Sequence, residues 1–321
     1  MALTKKLAKE LLTNLYRIRI ADEEIAKVYP NDIIKCPVHL STGSEGVPVG
    51  VCAALKKTDY AVGTHRSHGI FIAKGGSLND FMAEMYGREN GCAGGKGGSM
   101  HLISLENGLL GTTPILGSTI PIGVGSALAS RFKKDKSVTA IFFGDGSSEE
   151  GAFYESLNLA ALFKVPALFV CENNEYSIFQ ELSIRQPINN LYKKGEVFGI
   201  PGTRVDGNDV VKVYEATLEA VKQVRLGKPV LLELMTTRWR QHVGPYYDHE
   251  IGFGTEEELK KKIKVKDPVK IFVKYLRKND LLSEGEIESV ENSVRKEVED
   301  SFEHAQSSPL PKPSDLYKHL Y

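Results

Sequence analysis

The chain has 321 residues, about twice the size of a common domain, so one large domain or two small ones can bury a substantial core. Its 41 Lys and Arg balance 41 Asp and Glu, and this zero formal charge lacks the basic excess that holding a nucleic-acid backbone requires. No apolar run approaches the ~18 residues of a membrane span, the longest being stretches such as Val165 to Cys171, so neither nucleic acid nor membrane is expected as a partner.

Met1-Ala-Leu-Thr-Lys-Lys leads into a charged amphipathic pattern with no apolar signal core. Residues 3–29 read as a helix, because Leu7, Leu11, Leu15 and Ile18 recur at steps of four, four and three, and Pro30 ends it. Cys36, Cys52, Cys92 and Cys171 are scattered without a C-x-x-C pair, which argues against zinc sites and disulfides and suits a reducing, cytoplasmic setting. Small residues dominate 36–57. Glycine is frequent over 87–125, most densely from Gly91 to Ser99, and with apolar flanks and few Pro, Ser or Glu this stretch reads as an ordered loop.

Val138 to Phe143 is a β-branched and aromatic run suited to a strand buried on both faces, and it stops at Gly144-Asp145-Gly146. Behind Glu149 and Glu150, Phe153, Leu157, Ala160 and Ala161 mark one face of a helix. Pro166 punctuates, Ala167 to Cys171 forms a second strand, and Glu172-Asn173-Asn174 follows. Strand, helix and strand in this order make a βαβ unit with parallel strands. Val230 to Leu234 reads as another strand and Thr236 to His249 as a loop. Residues 256–306 read as helical, with a capping box at Ser283 and Glu286 and a packing stripe of Ile287, Val290, Val294, Val298 and Phe302. Ser307 to Pro313 reads as an extended tail. The expected fold is α/β, a mostly parallel sheet flanked by helices over 1–255, with a helical carboxyl-terminal extension over 256–321.

Asp145 and Asn174 follow the two strands of the βαβ unit, 29 positions apart, so both reach the carboxyl edge where parallel sheets bind ligands. A carboxylate and an amide oxygen form a hard-oxygen set suited to Mg²⁺, and the glycines beside Asp145 together with the helix start beyond suit a phosphate. Either motif alone reads as a turn; the pair points to a Mg²⁺-bound diphosphate. Other phosphate and metal motifs fail. Gly144, Gly146 and Gly151 are spaced two residues too widely for G-x-G-x-x-G, Gly91 to Gly97 lacks Walker spacing, and His249-Glu250 lacks a second histidine.

Gly144-Asp145-Gly146 followed after 26 residues by Asn173-Asn174 resembles the thiamine diphosphate motif, and G-D-G-S-S-E-E-G-A-F-Y-E-S-L-N-L-A-A resembles the alpha subunit of the 2-oxo acid dehydrogenases. His39-Leu-Ser-Thr-Gly-Ser-Glu45, Thr64-His-Arg-Ser-His-Gly69, Gly94-Gly-Lys-Gly-Gly-Ser-Met-His101, Ser118-Thr-Ile-Pro-Ile-Gly123 and Leu316-Tyr317 are similar to that family's stretches in order. The resemblance implies a thiamine diphosphate-binding fold in which Asp145, Asn174 and the carbonyl of Tyr176 hold Mg²⁺. It also places Gly146 and Ser147 against the diphosphate, His39, Arg66 and His242 around the diphosphate and the mouth of the site, and Leu116 near the aminopyrimidine. His39 and His242 are the candidates for proton transfer, with His242 expected to titrate near neutrality.

The implied activity is decarboxylation of a 2-oxo acid with acyl transfer to a lipoyl carrier. The implied assembly has two alpha and two beta chains, the beta chain supplying the glutamate that activates the cofactor and a lipoyl acyltransferase as a further partner. Glu45, Glu149 and Glu150 are the local alternatives to that glutamate. Two departures bear on the substrate: His65 stands where the family commonly has a tyrosine, and Thr237-Arg-Trp-Arg-Gln-His-Val-Gly-Pro245 keeps Arg238 and His242 but lacks the family's serines. The alternative is a carboligase or ketolase that passes a two-carbon unit to an aldehyde or sugar, with the Trp239 to Pro245 loop admitting a bulkier acceptor.

Overall fold

The computed structural model describes residues 3–318; Met1, Ala2 and His319 to Tyr321 lie outside the described residues. Helix α1 (Lys5–Val28) starts where the Thr4 side chain accepts from Leu7 N, and it buries Leu11, Leu15, Ile18 and Ile25. After α2 (Gly46–Ala54) the chain alternates between strand and helix: β1 (Tyr60–Gly63), α3 (His68–Ala73), α4 (Leu78–Met85), β2 (Leu109–Thr112), α5 (Thr119–Lys133), β3 (Thr139–Gly144), α6 (Gly151–Leu162) and β4 (Ala167–Asn173). A short hairpin, β5 (Tyr176–Ser177) and β6 (Gln180–Glu181), leads through α7 (Leu182–Arg185) to β7 (Gly202–Asp206), α8 (Val210–Val224) and β8 (Val230–Met235). Helices α9 (Glu256–Lys266), α10 (Pro268–Lys278) and α11 (Glu284–Ser307) complete the described chain, with a 3-10 turn at Pro313–Tyr317 after an extended stretch.

Six strands form one parallel sheet in the order β2-β1-β3-β4-β8-β7. The apolar run of β3 is buried on both sides as its composition predicts: Ala140 and Phe142 face the larger core beneath α1 and α2, while Ile141 and Phe143 join Phe153, Leu157 and Ala160 of α6. Each fully buried phenylalanine contributes roughly 1.5–3 kcal/mol by leaving water. The helical region at the carboxyl end is continuous with that larger core, since Phe272, Leu276, Ile287, Val290, Val294 and Val298 cluster with Leu11, Leu15 and Ile18. The Ser283–Glu286 capping box forms, with Ser283 N donating to Glu286 at 2.9 Å.

Residues 46–54 form a helix that composition hides, because glycine is there for proximity. A Cβ at Gly50 would meet the Val213 side chain of α8 at 2.7 Å, and one at Gly46 would meet the Gly207 carbonyl at 2.5 Å. The glycine-rich stretch is an ordered loop held from below by one carboxylate. Glu84 of α4, 1% exposed, accepts from the backbone N–H groups of Ala93, Gly95, Gly97 and Gly98 at 2.7–2.9 Å. Gly94, Gly95 and Gly98 turn at φ of +67°, +74° and +60°, which lets consecutive N–H groups converge.

Replacing Glu84 by glutamine turns one acceptor oxygen into a donor facing N–H groups. Glu84→Gln should therefore lose about 2–3 kcal/mol in urea unfolding and become sensitive to proteolysis within 91–98. Wild-type stability in that variant would show that the loop holds itself.

Candidate active site

Because all six strands are parallel, their carboxyl ends gather on one edge, and a pocket opens there between the ends of β1, β3, β4 and β8. Its lining includes His65, Arg66, Leu116, Asp145, Gly146, Ser147, Asn174, Tyr176 and His242, so the fold brings nine of the ten site candidates to one cavity. The tenth, His39, lies just behind, in ring contact with His65 and His242.

β3 delivers Asp145 into a 3-10 turn (Asp145–Glu149). Burial pushes its carboxyl up to about 6 against the pull of Arg185, whose guanidinium bridges Asp145 and Glu149. The Ser147 hydroxyl is buried without a partner among the described residues. A Cβ at Gly146 would meet Ser177 Oγ at 2.7 Å, so only glycine lets the turn sit this close to β5. From β4, the Asn174 amide oxygen accepts from Tyr176 N at 3.0 Å and lines the pocket opposite Asp145. Asn173 plays a different part, donating to Glu233 at 2.7 Å and accepting from Glu175 N, which braces the end of β4.

This donor set fits a Mg²⁺ diphosphate. It offers a carboxylate and an amide oxygen together, an orphaned hydroxyl able to donate to a phosphate oxygen, and the cationic Arg66 on the facing wall. Loss of water and the neighbouring Arg238 push Arg66 down to about 10, still fully charged at neutral pH, and its guanidinium also donates to the Leu40 carbonyl.

The three mouth histidines behave otherwise than their sequence context predicts. Burial first, then neighbouring cations, push His39 down to about 2, His65 to about 3 and His242 to about 4. The expectation that His242 titrates near neutrality is therefore corrected: Arg66 and Arg238 face it, and a second positive charge is disfavoured there. The group that titrates near neutrality is Glu172, at the end of β4 in the same pocket, pushed up to about 7 by desolvation against the pull of Arg66.

Sequence reasoning missed Glu172, which reads as the first polar residue after a strand, and Arg185, which lies in a segment without pattern. It also missed the chain that fixes the loops. Fully buried His68 binds Asp22 through Nδ1 at 2.6 Å and Ser99 Oγ through Nε2 at 2.7 Å. Asp22 Oδ2 accepts from Ser41 N at 2.5 Å, and Ser99 Oγ lies 3.4 Å from His39 N. The available signal was Asp22 itself, a carboxylate on the apolar face of α1.

Of the three local alternatives to the activating glutamate, Glu45 is buried in an ion pair with Arg19 at 2.5 Å, Glu149 is held by Arg185 and Gln186, and Glu150 is exposed at the start of α6 with no cap hydrogen bond from its side chain. Trp239 is buried beneath the Arg19 guanidinium, 4.3 Å from its ring centre, and does not line the pocket at the edge of the sheet.

The sequence matches the family model of the dehydrogenase E1 component over residues 14–314. It is 34% identical over 322 residues to the alpha subunit of acetoin:2,6-dichlorophenolindophenol oxidoreductase from Bacillus subtilis, covering all of this chain and 95% of that protein. It is 35% identical to the mitochondrial pyruvate dehydrogenase E1 component subunit alpha of Solanum tuberosum over 97% of this chain and 78% of the relative. With the chloroplastic pyruvate dehydrogenase E1 component subunit alpha-3 of Arabidopsis thaliana the identity is 37%, over all of this chain and 76% of the relative.

Because the folded Glu172 holds its proton above the ordinary 4.5, this group lowers stability as pH rises from about 4.5 to about 7 and no further beyond. Infrared difference spectra from pH 4.5 to 9 should show, besides the Asp145 band lost near 6, a carboxyl band lost with a midpoint near 7 in the wild type and absent in Glu172→Gln. The same band surviving in Glu172→Gln would assign it to another acid.

Proposed function

The chain belongs to the dehydrogenase E1 component family as a 2-oxo acid dehydrogenase alpha subunit, and from that premise we propose that its pocket holds the diphosphate half of thiamine diphosphate through Mg²⁺. The observation that carries this reading is the meeting of Asp145, Asn174 and the orphaned Ser147 hydroxyl at one carboxyl edge. Asp145, Asn174 and the Tyr176 carbonyl are the proposed metal ligands. Gly146 and Ser147 bind phosphate oxygens through backbone N–H and hydroxyl, Arg66 balances their charge, and Leu116 on the lip packs against the aminopyrimidine. His39, His65 and His242 line the approach to the reacting carbon.

When bound, the cofactor supplies a carbon nucleophile and an electron sink for decarboxylation of a 2-oxo acid. What this chain adds is position and charge. Arg185 pairs with both Asp145 and Glu149 within the protein, so a metal held by Asp145 would take its place on that carboxylate while Glu149 kept it. Held neutral, the three imidazoles can hydrogen-bond to substrate without adding positive charge beside Arg66.

We further propose that a separate beta subunit completes the site in an assembly of two alpha and two beta chains. Glu45 and Glu149 are engaged in ion pairs, Glu150 lies exposed where the Asp145 turn enters α6, and Glu172 stands in register with Gly144 at the diphosphate end. None of them is placed to serve the far end of an extended cofactor. Ile122 of α5 and Leu159 and Leu162 of α6, two helices packed together, leave an exposed apolar surface suited to a partner chain. Acyl transfer to a lipoyl carrier and a reducing, cytoplasmic setting, consistent with four free cysteines, complete the proposal. The carboligase alternative rests on the Trp239 to Pro245 loop admitting a larger acceptor. With Trp239 buried under Arg19, the loop offers that reading less room than its sequence suggests.

Calorimetry of thiamine diphosphate in the presence of Mg²⁺ tests the metal ligands on the assembled protein. Asp145→Ala and Asn174→Ala should each weaken binding about ten- to a hundred-fold, the equivalent of one charge-assisted contact of roughly 1.5–3 kcal/mol. Unchanged affinity in both would place the diphosphate elsewhere. The acceptor is read separately: the assembled enzyme should reduce a dye or acylate a lipoyl domain when given a small 2-oxo acid alone. Turnover that requires an added aldehyde would favour the carboligase.

A further inference from the structure

Helix α1 begins against the usual sense of a helix dipole. The amino end of a helix favours acidic side chains, yet the first turn of α1 contains none and carries Lys5 and Lys6, with Lys9 close behind. Lys5 is paired with Glu286 at 2.7 Å. Lys6 and Lys9 have no such partner among the described residues, although Glu10 follows one turn after Lys6. Both line a cleft of about 640 Å³ between α1 and the ends of α2 and α3.

The opposite wall is cationic too, with Lys56 and Lys57 after α2 and Lys74 after α3. Arg17 of α1 is the sixth cation, held by Glu297 at 2.8 Å, and Glu10 is the one acid that lines the cleft among the described residues. On other helices lysines find partners: Lys260 and Lys261 of α9 and Lys296 of α11 each reach an acid one turn away at 2.7–2.9 Å. In the cleft, none of Lys6, Lys9, Lys56, Lys57 and Lys74 makes an ion pair with a described residue. Lys74 is half-buried besides, and loss of water holds its ammonium below its ordinary value. Five like charges gathered without counter-charge repel one another, and an anionic occupant removes that repulsion.

The shape of the cleft narrows the choice of anion. Among the described residues no aromatic ring lines it, so a nucleotide base finds no surface to stack on. From Lys6 to Arg17 the cationic side of α1 runs about 16 Å, the span of about five residues of extended chain. Side chains of an extended chain point alternately to opposite sides, so such a segment sends acids to both cationic walls at once. We propose that this cleft is a docking site for an extended, Asp- and Glu-rich segment of a partner protein. It lies where β1 begins, at the amino edge of the sheet, and shares no residue with the carboxyl-edge pocket. Docking there leaves the pocket open and does not depend on the cofactor reading.

A fluorescently labelled hexaglutamate peptide, read by anisotropy, is the probe, titrated into the full chain at low and at physiological salt. The expected result is saturable binding of one peptide per chain that weakens as salt rises. Lys6→Glu combined with Lys57→Glu, one change on each wall, should weaken it at least about tenfold. The same change of net charge at exposed positions outside the cleft, Lys228→Glu with Lys264→Glu, should leave affinity within about twofold of wild type. An acid in the first turn suits the dipole of α1, so Lys6→Glu does not weaken the fold and the loss reads the cleft alone. Absence of saturable binding, or equal losses in the two double variants, would overturn the site. Displacement of the peptide by tripolyphosphate at far lower concentration than by unlabelled hexaglutamate would also overturn it and give the cleft to a phosphorylated small molecule.

Discussion

The hydrogen-bonded chain from Asp22 through His68 to Ser99 is the interaction on which the arrangement of the pocket depends. It is buried throughout, and its members come from α1, α3 and the glycine-rich loop. Asp22 spends its second oxygen on Ser41 N, and Ser67 Oγ donates to the Ser99 carbonyl at 2.7 Å, so the segments on either side of His39, Arg66 and Ser99 are tied to one point. In a low-dielectric interior an unpaired member of such a chain costs far more than a paired one contributes, which makes the arrangement close to all-or-none. The loops that carry His39, His65 and Arg66 to the mouth are therefore fixed by polar contacts beneath them and not by their own conformational preferences.

The other half of the pocket follows from the parallel sheet. Parallel strands place every carboxyl end on the same edge, and adjacent β3 and β4, paired from Thr139–Ala167 to Gly144–Glu172, deliver the Asp145 turn and Asn174 side by side. Electrostatics then separates the groups. Carboxylates at the foot of the pocket are pushed up toward neutral pH by burial, while imidazoles at the mouth are pushed down away from it by burial and by Arg66. That divergence makes Glu172, and not one of the three mouth histidines, the pocket group that changes charge near pH 7.

The βαβ unit was legible in the sequence because its signals are local: an apolar run, a glycine turn and a 3.6-residue stripe each lie within a few positions. Residues whose role depends on distant partners were not. Gly50 is small because Val213 is close, Glu84 is buried because four loop N–H groups close over it, and Arg185 matters because it folds back on Asp145. Short strands such as β1, β2 and β7 carry four or five residues each and little pattern. The mouth histidines were identifiable by their motif context. Their protonation was not, because it depends on the Arg66 and Arg238 charges that the fold brings beside them.

The central claim is that this chain provides one half of a shared site, the diphosphate half, and lacks the carboxylate that activates the other end of the cofactor. Mass and 2-oxo acid decarboxylation, measured on the chain alone and on the chain co-purified with the proposed beta subunit, test this most directly. The account predicts no turnover from the chain alone and full turnover from an assembly of two alpha and two beta chains. Full turnover by the isolated chain would contradict it and return the activating carboxylate to Glu45, Glu149, Glu150 or Glu172.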